Sequence, residues 1–454
     1  MADDALAERV ASMRQRENAR FLETHPKSLA CLARARRTMP HGVPMSWMTE
    51  LYDHPPMYVA AADGIRLTDV DGNVYRDFAL AITAAFCGHS PAPVVAAAAR
   101  QLGRGSVMQL PTEDAIWVAE ALSARYRQPK WQFTLTASQA VAEVICLARL
   151  VTGRKRVLVF EGKYHGHIPE LLAVADGGRV LPEYRGVEAE DIRRTSIVQF
   201  NDLAAVERVL AHEDVALILT EPAMANVGII EPEPGFHASL RAMAQKYGTL
   251  LAVDETQTQA CHFGGLSRLW NLEADALILG KSMAGGVPLG AYGVCDRLAA
   301  EIERPAKAYE VAGEPVDQPA LGGTLFANAV SLAACRAALD EVMTEPAYER
   351  AIGLAARLAN RLRQRIAQAG LPWRVVQLGT RVWCCYAPLV PKNAIEVRAV
   401  DNPALRHLQR VYLANRGIWD FGWWAGPMVG LPATADDIDC YADAWDALVS
   451  ELTA

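Results

Sequence analysis

The chain has 454 residues, more than one hydrophobic core usually supports, so two or three lobes are expected. Half of it is apolar (51%) and 21% is charged, which excludes a largely disordered or collagen-like chain. With 45 Lys+Arg against 52 Asp+Glu the formal charge is −7, an acidic balance that argues against nucleic acid as a partner. No apolar run approaches the ~20 residues that span a bilayer, so no membrane partner is expected. The opening run MADDALAERVASMRQREN lacks the apolar stretch of an export signal and reads as an amphipathic helix. The nine cysteines are scattered, and the adjacent pair Cys384 and Cys385 lacks the ligand partners of a zinc site. A reducing, cytoplasmic setting and no metal centre are the expectation.

In chain order, GIRLTDVDGNVYRDF predicts a β-hairpin, because alternating strands flank Asp71-Gly72-Asn73, whose residues tolerate the positive φ of a tight turn. From about Phe78 to Ala329 short β-type runs (WQFTLT, RVLVF, SIVQF, VALILT, TLLAVD, ALILG) alternate with helical patterns at 140–150, 203–210 and 236–247. Such alternation builds an α/β fold, a mostly parallel sheet covered by helices on both faces. Long helical patterns follow at 329–342 and 348–369, then strand-like WRVVQL and VWCCYA and a terminal helix after Thr434. The expected domains are residues 78–329 as the large one, with 1–77 and 330–454 as two parts of a smaller α+β domain.

Open α/β sheets bind ligands at the carboxyl ends of their strands. Four polar sites lie there: Thr136-Ala137-Ser138, Glu221-Pro222, Asp254-Glu255 and Gly280-Lys281-Ser282. Lys281 has three readings. A surface lysine is the bland one. A phosphate loop fails, because Asp275 stands where G-x-x-x-x-G-K-[ST] needs glycine. A carbonyl-binding lysine is the third, since desolvation favours a neutral amine able to form a Schiff base with an aldehyde. A nicotinamide-binding protein would need a G-x-G-x-x-G turn, and none follows an early strand.

The run DALILGKSMAGGVPLGAYG resembles the class III aminotransferases, fold type I enzymes that use pyridoxal 5′-phosphate. DVDGNVYRDF, GHSP, YHGH, EPAMANVG, GGTLFAN and DDID match in order, with 281 − 254 = 27 residues from aspartate to lysine. MPHGV and EPAMANVG look nearest to the glutamate-1-semialdehyde aminomutase branch. The resemblance implies that Lys281 holds the cofactor and, once freed by substrate, shuttles the proton between Cα and the cofactor. It implies that Asp254 pairs with the pyridinium nitrogen and that Tyr164 stacks on the ring. It gives Thr136, Ala137 and Ser138 as the phosphate cup, where this chain has Ala137 and Gln139 in place of the family's Gly and Glu. Glu221 would orient Asp254 or the ring hydroxyl, and Asn226 would lie near that hydroxyl. Thr324 would reach the phosphate of a neighbouring subunit, implying a homodimer with shared active sites. His165 and His167 are read as structural.

Relatives that accept amino acids often carry an arginine after the M-P-x-G-x segment, but Met39–Met48 holds none. Trp47, Trp419, Trp423 and Trp424 are therefore candidates to line an apolar pocket for a bulky or aromatic amine, with core aromatics as the competing reading. Arg381 and Arg416 remain candidates for carboxylate capture. The expected function is ping-pong transamination between a small amine or amino acid and a keto acid or aldehyde. The alternatives are an aminomutase of the glutamate-1-semialdehyde type and a catalytically degenerate relative.

Overall fold

The computed structural model describes residues 2–50, 53–304, 319–422 and 426–454. The chain divides into two compact units, one of Ala92–Thr344 with Pro391–Glu396, the other of Met1–Pro91, Glu345–Val390 and Val397–Ala454.

The larger unit is built on seven strands: β1 (Lys130–Thr134), β2 (Arg156–Phe160), β3 (Thr195–Val198), β4 (Val215–Thr220), β5 (Leu250–Asp254), β6 (Ala276–Leu279) and β7 (Gly290–Val294). Their order across the sheet is β1-β7-β6-β5-β4-β2-β3. Strands β6, β5, β4, β2 and β3 pair in parallel, while β7 runs antiparallel to both β6 and β1. Every residue of β4, β5 and β6 is buried, which is why these runs read as continuous apolar stretches rather than alternating ones. The helix α1 (Ala137–Thr152) supplies Ala140, Val141, Val144, Leu147 and Ala148 to the core on one face.

Two departures from the sequence reading have local causes. WQFTLT stops being a strand at Thr134, because the Thr134 hydroxyl donates to the Thr136 carbonyl (2.8 Å) as the chain turns into α1. Strand β7 was not expected, since GAYGV is glycine-rich and weak by propensity. Its glycines are there for space: a Cβ on Gly290 would lie 2.4 Å from the Thr136 carbonyl carbon, and one on Gly293 2.8 Å from the Trp131 ring.

The smaller unit holds the predicted hairpin, Arg66–Asp69 against Val74–Asp77, with Val59–Asp63 on one side and Ile418–Trp419 on the other. The Asp69 carboxylate accepts the N–H groups of Asp71 (2.9 Å) and Asn73 (2.8 Å), and Gly72 takes φ +96° at the turn. Trp419 packs with Phe21, Tyr75 and Val411 in this unit's core, under the Arg410 guanidinium at 4.8 Å, so it is a core aromatic rather than a pocket wall. Arg416 is engaged by Glu17 (3.2 Å) and lies over the Tyr412 ring; Arg381 is wholly buried. Neither is placed as an open carboxylate clamp. Trp47 is half-buried in the turn Ser46–Thr49, and Trp423 and Trp424 lie outside the described residues. Among the described residues no helix is long and apolar enough to cross a membrane.

Burial in the sheet sets a stability test. Leu219 in β4 is fully buried, so Leu219→Ala should cost roughly 2–5 kcal/mol in urea denaturation, whereas Leu150→Ala, at a half-exposed site, should change it by less than about 0.5 kcal/mol.

Candidate active site

The parallel strands bring their carboxyl ends to one edge of the sheet. In the β5–β6 register Asp254 stands opposite Ile278, so Lys281 follows three residues beyond Asp254's partner on the adjacent strand. Lys281 has φ +48°, a left-handed conformation that costs a side-chain-bearing residue energy and is held here by its surroundings. The Gly280 carbonyl before it accepts from the buried Gln259 amide (2.7 Å), and the Gly280 N-terminal flank leaves no room for a Cβ, which would lie 2.8 Å from that of Ala137. Gln259, in the loop after β5, thus ties the aspartate strand to the lysine turn.

Asp254 is 4% exposed. Its Oδ2 accepts from His165 Nδ1 at 2.7 Å and its Oδ1 from the Thr256 N–H at 2.9 Å. Burial pushes this carboxyl up, but the hydrogen bond and charge of His165 and the Thr256 donors outweigh it and hold the group below the usual carboxylate range. His165, read from sequence as structural, is therefore the residue that orients Asp254. Nothing in the spacing from 165 to 254 signals this; only the neighbouring YHG motif hinted that the loop mattered.

The loop from Lys163 to His167 also meets the cup. The Ser138 hydroxyl oxygen accepts the His167 N–H (3.0 Å), and Gly166, at φ +102°, approaches so closely that a Cβ would lie 2.3 Å from it. Thr136 precedes α1 in extended conformation, yet its side chain turns to Gln139 (2.8 Å) instead of capping the helix. The helices after Asp202, Asn328, Asn402 and Thr434 are each capped by that residue's side chain. Gln139 and Ala140 donate to the Thr136 carbonyl, so the Ala137 and Ser138 N–H groups are the ones left to an outside acceptor, with the positive end of the helix dipole behind them.

Tyr164 is 44% exposed beside this loop, its phenol pushed up by partial burial and then by the Glu183 carboxylate. Glu221 is buried at the end of β4 and accepts the Ala225 N–H (3.1 Å); Asn226 reaches the Gly162 carbonyl (3.5 Å). Thr324 sits on an exposed turn. Thr136–Ser138, the Lys163–His167 loop, Asp254 and Gly280-Lys281 are therefore linked by direct contacts within one unit. Trp47 belongs to the other unit.

The family model for class III aminotransferases matches residues 48–381, and the chain belongs to that family of pyridoxal-phosphate enzymes. It is 33% identical over 352 residues to the glutamate-1-semialdehyde 2,1-aminomutase of Syntrophomonas wolfei, covering 75% of this chain and 79% of that one. Among solved structures it is similar to a glutamate-1-semialdehyde aminomutase of Pseudomonas aeruginosa (37% identity, 98% and 99% of the two chains, TM-score 0.92), which has also been solved in complex with PMP. It is similar as well to a β-phenylalanine aminotransferase of Variovorax paradoxus, at 25% identity over 99% and 98% of the chains with TM-score 0.83. The fold is that of these fold type I enzymes.

The Asp254 geometry sets a pH-resolved test. A carboxyl held below its unfolded value adds stability above that value, near 3.8, and loses it as pH falls through the lower folded one. His165→Ala should destabilise the cofactor-free protein by about 1–3 kcal/mol near neutral pH, a deficit that shrinks in denaturation series carried below about pH 4.

Proposed function

We propose that this chain binds pyridoxal phosphate at the edge described above and uses it to move an amino group between adjacent carbons of a single small substrate, as an aminomutase does. The observation that carries the cofactor reading is the placing of a buried Asp254, its carboxyl held low by His165 and Thr256, and a left-handed Lys281 at neighbouring strand ends. The donor set fits: the Ala137 and Ser138 N–H groups, the Ser138 hydroxyl and a Thr136 hydroxyl turned from Gln139 suit a phosphate dianion, and the close approach of Gly166, Gly280 and Gly290 shapes the cup. Ala137 fits there as an ordinary first residue of the helix.

When bound, the cationic pyridine ring would draw electrons from the substrate's Cα–H bond and make that proton acidic. The chain's own residues supply the rest. Asp254, kept ionised and oriented by His165 and Thr256, favours the protonated ring nitrogen. Tyr164 offers an exposed aromatic face to hold the ring plane. Lys281 Nζ would hold the cofactor through its aldehyde carbon and, once displaced by substrate, would carry the proton between the substrate Cα and that same cofactor carbon. Glu221 and Asn226 brace the loops beside the ring. Thr324, exposed in one copy, would serve the phosphate of a second, which makes the working unit a homodimer.

The shift reading is supported by the aminomutase relatives, which cover 75% of the chain in the Syntrophomonas wolfei protein and 98% in the Pseudomonas aeruginosa structure. A second reading, two-substrate transamination, is favoured by one feature: Met39–Met48 lacks arginine and offers Trp47 instead. Single-turnover assays with glutamate-1-semialdehyde separate the two. An aminomutase returns an amino ketone that keeps its nitrogen, with no stoichiometric deaminated dicarbonyl, whereas a transaminase releases one such dicarbonyl per site and stops without an acceptor. Lys281→Ala should lower turnover at least ~10²–10⁴-fold and abolish the borohydride-reducible link to the protein; a variant retaining that link would refute the lysine assignment.

A further inference from the structure

The buried face of α1 is apolar with one exception. Ala140, Val141, Val144, Ile145, Leu147 and Ala148 pack into the core, and among them stands Glu143, itself 8% exposed. Its Oε1 accepts the Gly322 N–H at 2.6 Å, and its carboxyl faces the hydroxyl of Tyr292, a fully buried residue of β7. Burial pushes the Glu143 carboxyl above its ordinary range; the Gly322 and Tyr292 donors work against that rise. Removing a carboxyl from water is costly, and the exposed Gly322 amide had solvent as an alternative acceptor. Satisfying that amide is therefore no reason for the glutamate to be there. Fixing where Gly322 sits is.

Gly322 opens the turn that carries Thr324. On the far side the same segment is held by Asn328, whose side chain caps the helix Ala329–Ala337 and whose amide donates to the Leu325 carbonyl (3.1 Å), and by the Ala329 N–H on the Ser106 carbonyl (3.0 Å). Leu321 packs on the core beside α1. Thr324 is thus bracketed by two anchors, and the one on its N-terminal side hangs from α1, the helix whose first turn is read as the phosphate cup.

We infer that Glu143 is a positioning residue of the cofactor site, its buried carboxylate pinning the Gly322 amide so that Thr324 is presented at a fixed distance from the α1 helix. The inference rests on the reading that Thr324 contributes to phosphate binding. It couples the two phosphate-holding elements through one side chain: α1 supplies the cup of its own subunit and, through Glu143, orients the threonine offered to the neighbour.

The test uses full-length Glu143→Ala, Glu143→Gln and Thr324→Ala proteins, each checked for unchanged thermal unfolding. Hydrogen exchange of the peptide spanning 319–328 is followed in cofactor-free protein, and pyridoxal phosphate affinity by equilibrium dialysis. Glu143→Ala should speed exchange of that peptide and raise the cofactor Kd, each roughly tenfold, the loss of one charge-assisted bond. Glu143→Gln keeps an acceptor oxygen for the Gly322 N–H and should restore both towards wild type. Wild-type exchange in Glu143→Ala overturns the anchor itself, as does a glutamine variant as impaired as alanine. Faster exchange with unchanged affinity in both Glu143→Ala and Thr324→Ala leaves the anchor intact but overturns its link to the cofactor, and with it the Thr324 reading.

Discussion

The site depends on one buried interaction, the carboxylate of Asp254 gripped by His165 at 2.7 Å and by the Thr256 amide. A carboxylate at the end of a fully buried strand would ordinarily be driven towards its neutral acid. Two donors reverse that tendency and hold the carboxyl at this strand end towards its charged form. The rest of the edge is organised around that charge: a lysine after the next strand, an uncapped helix terminus three strands away, and an aromatic on the loop that also carries His165.

Close backbone approach joins these parts. Gly166, Gly280 and Gly290 each bring main chain against Thr136–Ser138 where a methyl group would collide. The cup is therefore shaped as much by what three other segments lack as by the residues that line it. The same logic explains why β7, antiparallel and glycine-rich, lies between β1 and β6 in an otherwise parallel sheet: it must pass beside the turn into α1.

Much of this was legible in the sequence, and the reasons differ by element. The strands β2 and β4–β6 announce themselves because burial on both faces demands continuous apolar runs, and the polar residue after each run marks the crevice. Asp254 and Lys281 stand out for that reason. Strand β7 was hidden because its glycines answer a packing need that local propensity does not encode. His165 and Glu143 were hidden because each acts on a residue far away in the chain, 89 positions for the pair His165–Asp254 and 179 for Glu143–Gly322. Arg416 misled in the opposite direction: a cation near a motif invites a ligand role, while the smaller unit engages it with Glu17 and Tyr412; Trp419 is the core aromatic that a lone tryptophan most often is.

The central claim, that Asp254 keeps the cofactor ring cationic, is tested most directly by ¹⁵N NMR of protein loaded with pyridoxal phosphate labelled at the ring nitrogen. A protonated-nitrogen shift should persist across neutral pH in the wild-type chain and move to the neutral-pyridine position in Asp254→Ala. A neutral nitrogen in the wild-type protein, or a protonated one that survives loss of the carboxylate, would contradict it.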